Sequence, residues 1–399
     1  MITVEEHRER ILAAVHALPT TVIPVQAALG RTLREPVLSA VDLPLFDNSA
    51  MDGFAVRFED AAGATRDHPA VLEVVADLPA GTSADPAVAP GQAARIMTGA
   101  PLPTDADTVV PFEQTAGGLA DSLGTIEVVE APRSRGMHVR GQGDECRAGD
   151  VILASGALLG PRQLAGIAAA GVAQVAVSRA PRVAVVSTGD ELRAPGESLE
   201  RGQIPESNST LLAALCAEEG AEVVLVTHVD DEGDGLRAAL AEASMRGSDV
   251  VITSGGVSAG AYEVVKNVAP MEFVKVAMQP GKPQGFGDGD GPLLFGLPGN
   301  PVSVAVSFEV FVRPALLKLQ GRARLDRLIV RLPVLEDWRT PAGRRQYRPV
   351  VVEPEGVRPV SPGGSHLAAS LGRADAYAIV PAELDSVAAG DVVDVMLIS

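Results

Sequence analysis

The feature that most constrains the fold is a regular alternation of apolar strand-like runs and helical segments between residues 181 and 320. Strands are predicted at residues 182–187, 222–227, 249–253, 273–277 and 292–296. Helices are predicted at residues 208–219, 234–245 and 301 to about 319. Consecutive strands joined through helices imply right-handed crossovers, so we expect a mostly parallel sheet in an α/β domain.

The rest of the 399 residues is expected to add further domains, because the chain is too long for one core. A helix is predicted at residues 3–18, with Thr3 as N-cap and Glu6 three residues on. Short β-like runs rich in Gly and Pro then suggest a β domain inserted into a discontinuous α+β domain. Four β runs after Gly321 predict a small β-barrel-like domain. The predicted boundaries in this α/β multidomain chain are 1–40 with 141–180, 41–140, 181–320 and 321–399.

Composition limits the class of protein and its partners. Apolar residues make up 46% and aromatic residues 3%, so the cores must consist of Val, Leu, Ile and Ala. The formal charge of −18 argues against nucleic acid or an anionic membrane as partner. Cys146 and Cys216 lack metal-ligand spacing. Charged residues near the amino end disfavour a signal peptide, and with no apolar stretch long enough to span a membrane we predict a cytoplasmic protein.

Two glycine-containing loops follow predicted strands of the central domain. One is Ser-Gly-Gly-Val-Ser-Ala-Gly at 254–260 and the other Gly-Leu-Pro-Gly-Asn-Pro-Val-Ser at 296–303. Backbone N–H groups in such loops, together with helix amino ends, form natural phosphate sites. A plain turn or a well-capped helix explains either loop alone. Their common position at the carboxyl edge of one sheet favours a phosphorylated ligand held there.

Charged residues near these loops suggest the rest of a binding site. Lys282 stands between Pro280 and Pro283, whose restricted backbones would aim its ammonium at an oxyanion or phosphate; a solvated turn lysine is the alternative. Asp190 and Glu191 follow the first central strand and are candidate Mg²⁺ ligands. Helix N-capping by Asp190 is the competing interpretation.

Read by themselves, three segments of the β region are ambiguous. Residues 47–55 read locally as a turn with Asx capping, and residues 95–100 and 104–107 have no clearer local meaning. Considered with the central loops, however, the segments form a pattern in fixed order. The matching stretches are 47–55, 95–100, 188–192, 254–260, 280–283, 297–303 and Ser365-His366.

Together these stretches resemble the molybdopterin molybdenumtransferase family, which includes the carboxy-terminal domain of gephyrin, over nearly the full chain. The resemblance implies an elongated homodimer whose active site is shared between subunits. It also implies insertion of molybdenum from molybdate into adenylylated molybdopterin, with release of AMP and dependence on Mg²⁺. Other proteins of molybdenum cofactor synthesis would be further partners.

The resemblance also assigns roles residue by residue. The implied catalytic residues are Asp52, Thr98, Asp190, Glu191 and Lys282. The implied substrate and phosphate contacts are Gly255, Gly256, Ser258, Pro283, Gly299, Asn300, Ser303 and, by a looser match, Arg344. The implied metal ligands are Asp190, Glu191 and Glu263.

At four places the sequence departs from the family pattern. Glu263 and Glu206 stand where aspartate is usual, and Gln279 replaces a lysine. The family's Gly-Glu-Asp run is Gly143-Asp144-Glu145 here, which leaves open which acid matches.

Three other functions remain open from the sequence. One is a molybdopterin adenylyltransferase, disfavoured because residues 49–53 and a C-terminal β domain would be superfluous. Another is a non-catalytic pterin-binding scaffold. A nucleotide-binding dehydrogenase is poorly supported, because Thr-Gly-Asp follows the first strand in place of Gly-x-Gly-x-x-Gly.

Overall fold

Six strands between Arg182 and Leu297 form one sheet in the computed structural model, which describes residues 1–118, 123–257 and 264–398. The strands, in spatial order, are Glu222–Val229, Arg182–Thr188, Val250–Ser254, Leu293–Leu297, Pro283–Gly287 and Glu272–Lys275. The first four pair in parallel and the last two add on antiparallel. The mostly parallel sheet is therefore confirmed, and the strand Pro283–Gly287 was missed.

That strand was missed because its sequence, Pro-Gln-Gly-Phe-Gly, carries residues that are rare in strand interiors. The glycines are needed here because a Cβ on Gly285 would lie 2.7 Å from the Phe273 ring and one on Gly287 2.5 Å from the Pro270 carbonyl oxygen. Close packing against adjacent segments of the same chain thus outweighs the low strand propensity of these residues.

Helices cover both faces of the central sheet. They are Asn208–Glu218, Asp234–Met245, Val264–Val268, Pro301–Ser307 and Arg313–Leu319, the last two joined by a π-helical segment at Phe308–Val312. Alternate strand residues feed two cores: Val183 and Val185 belong to one, and Ala184 and Val186 to the other. Burial on both faces is the reason that these strands are continuous apolar runs.

The amino-terminal helix docks onto this central domain. It runs from Val4 to Ala14, shorter than predicted, and Thr3 and Glu6 form the expected capping box. Ile11 packs into the core on one face of the central sheet. Backbone bonds between Ile2 and the strand end at Lys275 anchor the first residues there as well.

Two strand pairs join the chain before residue 40 to the chain after residue 141. Strand Thr20–Pro24 pairs with Gln174–Ser178, and Val37–Leu38 pairs with Val151–Leu153. Helix Pro161–Ala169 shares their core through Ile167. The predicted discontinuous α+β region is thereby formed around an inserted segment, and we propose the boundaries 1–40 and 141–180 for it.

The inserted segment forms a five-stranded sheet with its own cores. Its strands, in spatial order, are Thr108–Pro111, Gly53–Val56, Gln92–Ile96, Ala70–Leu78 and Thr125–Val128. A short pair, Asn48–Ser49 with Val139–Arg140, and a helical turn, Phe58–Ala61, complete the segment. We propose residues 41–140 as this unit.

The C-terminal strands close into a barrel-like sheet. In spatial order they are Gly356–Pro359, Arg345–Glu353, Ala376–Val380, Val392–Leu397 and Ile329–Pro333. A bridge between Val334 and Val357 connects the two ends of this series. Two residues of the central domain, Met278–Gln279, pair in parallel with Arg345 and Gln346 and so join both domains. Among the residues described, no helix is both long enough and apolar enough to cross a bilayer.

Candidate functional site

A cavity of about 940 Å³ lies between the carboxyl ends of the central strands and the C-terminal barrel. The central domain contributes strand ends and the loops after them, and the barrel contributes residues 344–349 and 361–370. Of the predicted site residues, the cavity is lined by Glu191, Gly255, Gly256, Lys282, Pro283, Gly299, Asn300, Ser303 and Arg344. The structure thus gathers around one cavity residues that are up to 153 positions apart in the sequence.

The two predicted phosphate loops touch each other at the sheet edge. The Gly255 N–H donates to the Leu297 carbonyl at 3.1 Å. We expected this amide to be free for a ligand, but it is bonded within the protein. Gly255 has φ +94°, and a Cβ there would lie 2.7 Å from the Thr188 carbonyl oxygen. Because only glycine tolerates both conditions, the first loop can reach the neighbouring strand end.

The second loop is held from the barrel side. Asn300 Nδ2 donates to Ser365 Oγ at 2.8 Å, and the Val302 N–H donates to the Ser365 carbonyl at 3.0 Å. The Val302 amide is therefore also taken up within the protein, contrary to the expectation of free N–H groups in this loop. Ser303, the next residue, lines the cavity.

Lys282 lies at the end of a hairpin that connects strands Glu272–Lys275 and Pro283–Gly287. The Lys282 carbonyl accepts a 2.8 Å bond from the Val276 N–H. Gly281, with φ +97°, allows the turn that precedes the lysine. The turn borders the cavity, where Lys282 is one of its cationic residues.

The barrel adds two arginines to this wall, Arg344 and Arg348. Burial lowers the pKa of the Arg348 guanidinium, whose Nη2 donates to the Ser361 carbonyl at 2.7 Å. Sequence reasoning missed Arg348, although its spacing of four residues from Arg344 in a β run was a usable signal. With Lys282, these arginines give a cationic wall in a chain of charge −18, which suits an anionic ligand.

The opposite side of the cavity is acidic. Glu191 and Asp231 line it, and Asp190 Oδ1 accepts a 3.3 Å bond from the Asp231 N–H. Burial, followed by the negative charge of Asp190, raises the pKa of the Asp231 carboxyl. Asp231 was missed, although it follows the strand Glu222–Val229 at the same sheet edge as Asp190.

The alternative interpretation, that Asp190 N-caps a helix, is wrong. The chain makes a turn there and enters the short strand Leu192–Arg193. The next helix, Asn208–Glu218, has Ser207 as its N-cap residue, and the N–H of Ser209 in its first turn donates to Glu206 Oε1 at 2.8 Å, which also accepts from Ser187 Oγ at 2.9 Å. The Glu206 carboxylate is therefore already hydrogen-bonded within the protein.

Asp52 and Thr98 lie next to the ends of two paired strands of the inserted sheet, Gly53–Val56 and Gln92–Ile96, and form a direct pair. Asp52 Oδ1 accepts from the Thr98 N–H at 2.7 Å and from its hydroxyl at 2.8 Å. These bonds lower the pKa of the Asp52 carboxyl, so it is held as an anion. Both residues are exposed, and neither is among those that line the cavity of the same chain.

Two predicted site residues, Ser258 and Glu263, lie outside the described residues. Within ranges 1–118, 123–257 and 264–398, no cluster of three or more His, Cys, Asp or Glu residues is arranged to hold a metal ion.

Comparison with known proteins covers almost the whole chain. The family model for the MoeA N-terminal region, domains I and II, matches residues 2–171; that for a probable molybdopterin binding domain matches 184–318; and that for the MoeA C-terminal region, domain IV, matches 331–398.

Individual relatives agree with these matches. Molybdopterin molybdenumtransferase 2 of Mycobacterium tuberculosis is 40% identical, with 98% of each chain covered. A molybdopterin molybdenumtransferase of Nostoc is 41% identical over 76% of this chain and 70% of its own length. The crystal structure of a molybdopterin biosynthesis MoeA protein from Pyrococcus horikoshii superposes with a TM-score of 0.87 at 27% identity, covering 100% of both chains. This chain therefore belongs to the molybdopterin molybdenumtransferase family.

Proposed function

We propose that this protein inserts molybdenum from molybdate into adenylylated molybdopterin and releases AMP. The observation that carries the proposal is the cavity, which combines a cationic wall, two loops at a parallel-sheet edge and a facing acidic side. Both proposed substrates are anions, and one contains the phosphate linkage that must be broken. The membership of a family whose relatives bear the transferase name supports this reaction.

The cationic wall is the proposed binding site for the oxyanion. Lys282, Arg344 and Ser303 would hold molybdate, because a dianion needs charged donors and a hydroxyl in place of its hydration shell. Gly255, Gly256, Gly299 and Asn300 would border the phosphates. Gln279, which also lines the cavity, carries no charge, so Lys282 and the arginines supply the positive potential.

We propose that the acidic side binds Mg²⁺ through one or two carboxylates, with phosphate oxygens of the substrate completing the ligand set. The pKa of Asp231 is raised by burial and by its acidic neighbours Asp190 and Glu191, a repulsion that a bound cation relieves. Asp190 and Glu191 would hold the ion, with Glu263 as the further predicted ligand. When bound, Mg²⁺ would offset negative charge at the phosphate linkage. The role of the chain's own carboxylates would be to hold the ion beside the loops that would border the phosphates.

We further propose a cytoplasmic homodimer in which the Asp52–Thr98 pair of one subunit completes the cavity of the other. The pair is preorganised by two hydrogen bonds but stands apart from the cavity of its own chain. Apolar side chains of the same segment of the chain, Leu45, Phe46 and Met51, are 55%, 43% and 36% exposed, and exposed apolar side chains of this kind are suited to being covered by protein. Other proteins of molybdenum cofactor synthesis are expected to deliver or receive the pterin.

The reaction is tested by incubating the purified protein with adenylylated molybdopterin, molybdate and Mg²⁺, and measuring AMP and active cofactor. Release of AMP that depends on molybdate is expected. Pterin binding without AMP release would instead indicate a scaffold and contradict the proposal.

The shared site is tested with mixed dimers of Asp52→Asn and Lys282→Ala subunits. Each homodimer should be nearly inactive, whereas a mixed dimer should regain one of two sites because one cavity then receives an intact residue from each chain. Mixed dimers no more active than either parent would place the whole site within one chain.

A matched control for Asp52→Asn exists in the same sheet region. Asp85 Oδ1 accepts a 2.9 Å bond from the Thr104 N–H, and Asp85 Oδ2 a 2.8 Å bond from the Thr104 hydroxyl, so an aspartate–threonine pair recurs there. Asp85→Asn should keep full activity, since this pair has no proposed place in the reaction.

A further inference from the structure

One buried amide connects the Lys282 turn to the helix that carries Ser303. Gln284 is 1% exposed in the strand Pro283–Gly287. Its Nε2 donates to the Gly281 carbonyl at 2.6 Å and to Ser307 Oγ at 2.7 Å. Gly281 is the residue directly before Lys282, so the amide holds the lysine turn by its backbone.

The second acceptor ties the same amide to the other side of the oxyanion site. Ser307 is fully buried at the end of helix Pro301–Ser307, four residues after Ser303. Residues four apart share a helix face, so Ser307 lies one turn below Ser303. Gln284 thereby sets the spacing between two elements that line the cavity, without itself being among the lining residues.

The turn needs such a clamp because its own backbone offers few bonds. Pro280 and Pro283 have no N–H to donate. Gly281 has φ +97°, and a Cβ there would lie 3.0 Å from Ser307 Oγ and 3.1 Å from Met278 Cε. The turn therefore packs directly on the helix and depends on a side-chain donor for its Gly281 carbonyl.

We propose that Gln284 is a positioning residue that places the Lys282 ammonium relative to Ser303 for oxyanion binding. The inference rests on the proposed function, in that the oxyanion is taken to be molybdate. Gln284 acts through Lys282 and does not touch the ligand. Loss of one charged hydrogen bond weakens binding by between about tenfold and a hundredfold, so loss of the clamp, which misplaces the Lys282 ammonium, should weaken molybdate binding by up to that factor.

The test compares Gln284→Met with Gln320→Met in the full-length protein. Gln320 is a matched control: it is 3% exposed, and its Nε2 also donates two bonds, to the carbonyls of Glu219 at 2.7 Å and Leu316 at 3.2 Å, but it does not line the cavity. Both substitutions remove a buried donor and should lower the melting temperature similarly. Only Gln284→Met should raise the Kd for molybdate in calorimetric titration and the KM for molybdate, with a smaller change in kcat.

A crystal structure of Gln284→Met supplies a readout that is independent of activity. We expect the Lys282 turn to shift away from helix Pro301–Ser307. An unmoved turn together with an unchanged Kd for molybdate would overturn the inference. If Gln284→Met fails to fold, Ser307→Ala, which removes one acceptor of the clamp, should raise the Kd in the same direction; an unchanged Kd would then overturn it.

Failure of the proposed function leads to a different result. An unmodified protein that binds molybdate but releases no AMP would refute the reaction, while the Kd values would still decide the role of Gln284. If the unmodified protein does not bind molybdate, the position of Lys282 in the Gln284→Met crystal structure alone decides whether Gln284 is a positioning residue.

Discussion

The buried imidazole of His7 makes folding stability depend on pH in a way that can be calculated from the structure. His7 is 1% exposed and packs edge-on against Phe311, with ring centroids 4.8 Å apart. Its Nδ1 has no hydrogen-bond partner among the described residues. Burial, with a further contribution from Arg10 and against the opposing effect of Glu272, lowers the pKa of His7 from 6.5 to about 4.

The direction of the change in stability with pH follows from the proton that the folded state does not take up. Below pH 6.5 the unfolded chain protonates this histidine, whereas the folded chain keeps it neutral until about pH 4. Stability is therefore lost as the pH falls through this range. Each pKa unit corresponds to about 1.4 kcal/mol, so His7 should remove about 2 kcal/mol of stability by pH 5 and about 3 kcal/mol in full.

The assay is urea unfolding at pH 8 and pH 5, followed by far-ultraviolet circular dichroism, for the unmodified protein and His7→Leu. Leucine does not titrate, so the variant should lose about 2 kcal/mol less than the unmodified protein between these pH values. Exposed His16, on the segment after the same helix, provides the control. His16→Leu should keep the pH dependence of the unmodified protein. If His7→Leu also keeps it, the reasoning from burial is wrong.

Three further variants probe the cavity and the core. Lys282→Ala should raise the Kd for molybdate by between about tenfold and a hundredfold, since a charged hydrogen bond contributes about 1.5–3 kcal/mol. The melting temperature should change little. A calorimetric titration identical to that of the unmodified protein would contradict this prediction. Asp190→Asn with Glu191→Gln should reduce Mg²⁺-dependent AMP release much more than pterin binding; activity of the unmodified protein that a chelator does not alter argues against it. Arg313→Met should cost about 3–5 kcal/mol in urea unfolding, because the buried carboxylates of Glu219 and Glu309 then share one guanidinium, that of Arg327 at 3.0 Å from each; a loss below about 1 kcal/mol shows that Arg327 alone compensates both carboxylates.

Much of the central domain was predictable because its signals are local. Helix Asp234–Met245 has the predicted bounds, and strand Arg182–Thr188 extends the prediction by one residue. The capping box of Thr3 and Glu6 was likewise read from four consecutive residues. Periodicity and capping act within a few residues, so they survive in the sequence whatever the surroundings.

The π-helical segment shows the limit of such signals. The predicted helix from 301 to about 319 is present, but at Phe308–Val312 it changes its hydrogen-bond pattern. Glu309 in this segment pairs with Arg327 at 3.0 Å, and Phe311 packs against His7. Both contacts involve distant parts of the chain, so no pattern within the helix revealed them.

The sequence by itself determined most strands and helices of the central domain, with the strand Pro283–Gly287 as the exception, the turn-forming glycines and prolines, and the family. Only the tertiary structure decided which side chains meet. Thr98 supplies both bonds that hold the Asp52 carboxylate, 46 residues earlier in the chain. Asp231 faces Asp190, and Gln284 reaches Ser307, through contacts between elements that are separate in the sequence. The physical reason is the sequence distance over which each interaction acts. Backbone conformation depends mainly on neighbouring residues. A binding site depends on side-chain packing between separate elements, and their distances are set only when the sheets and helices are assembled.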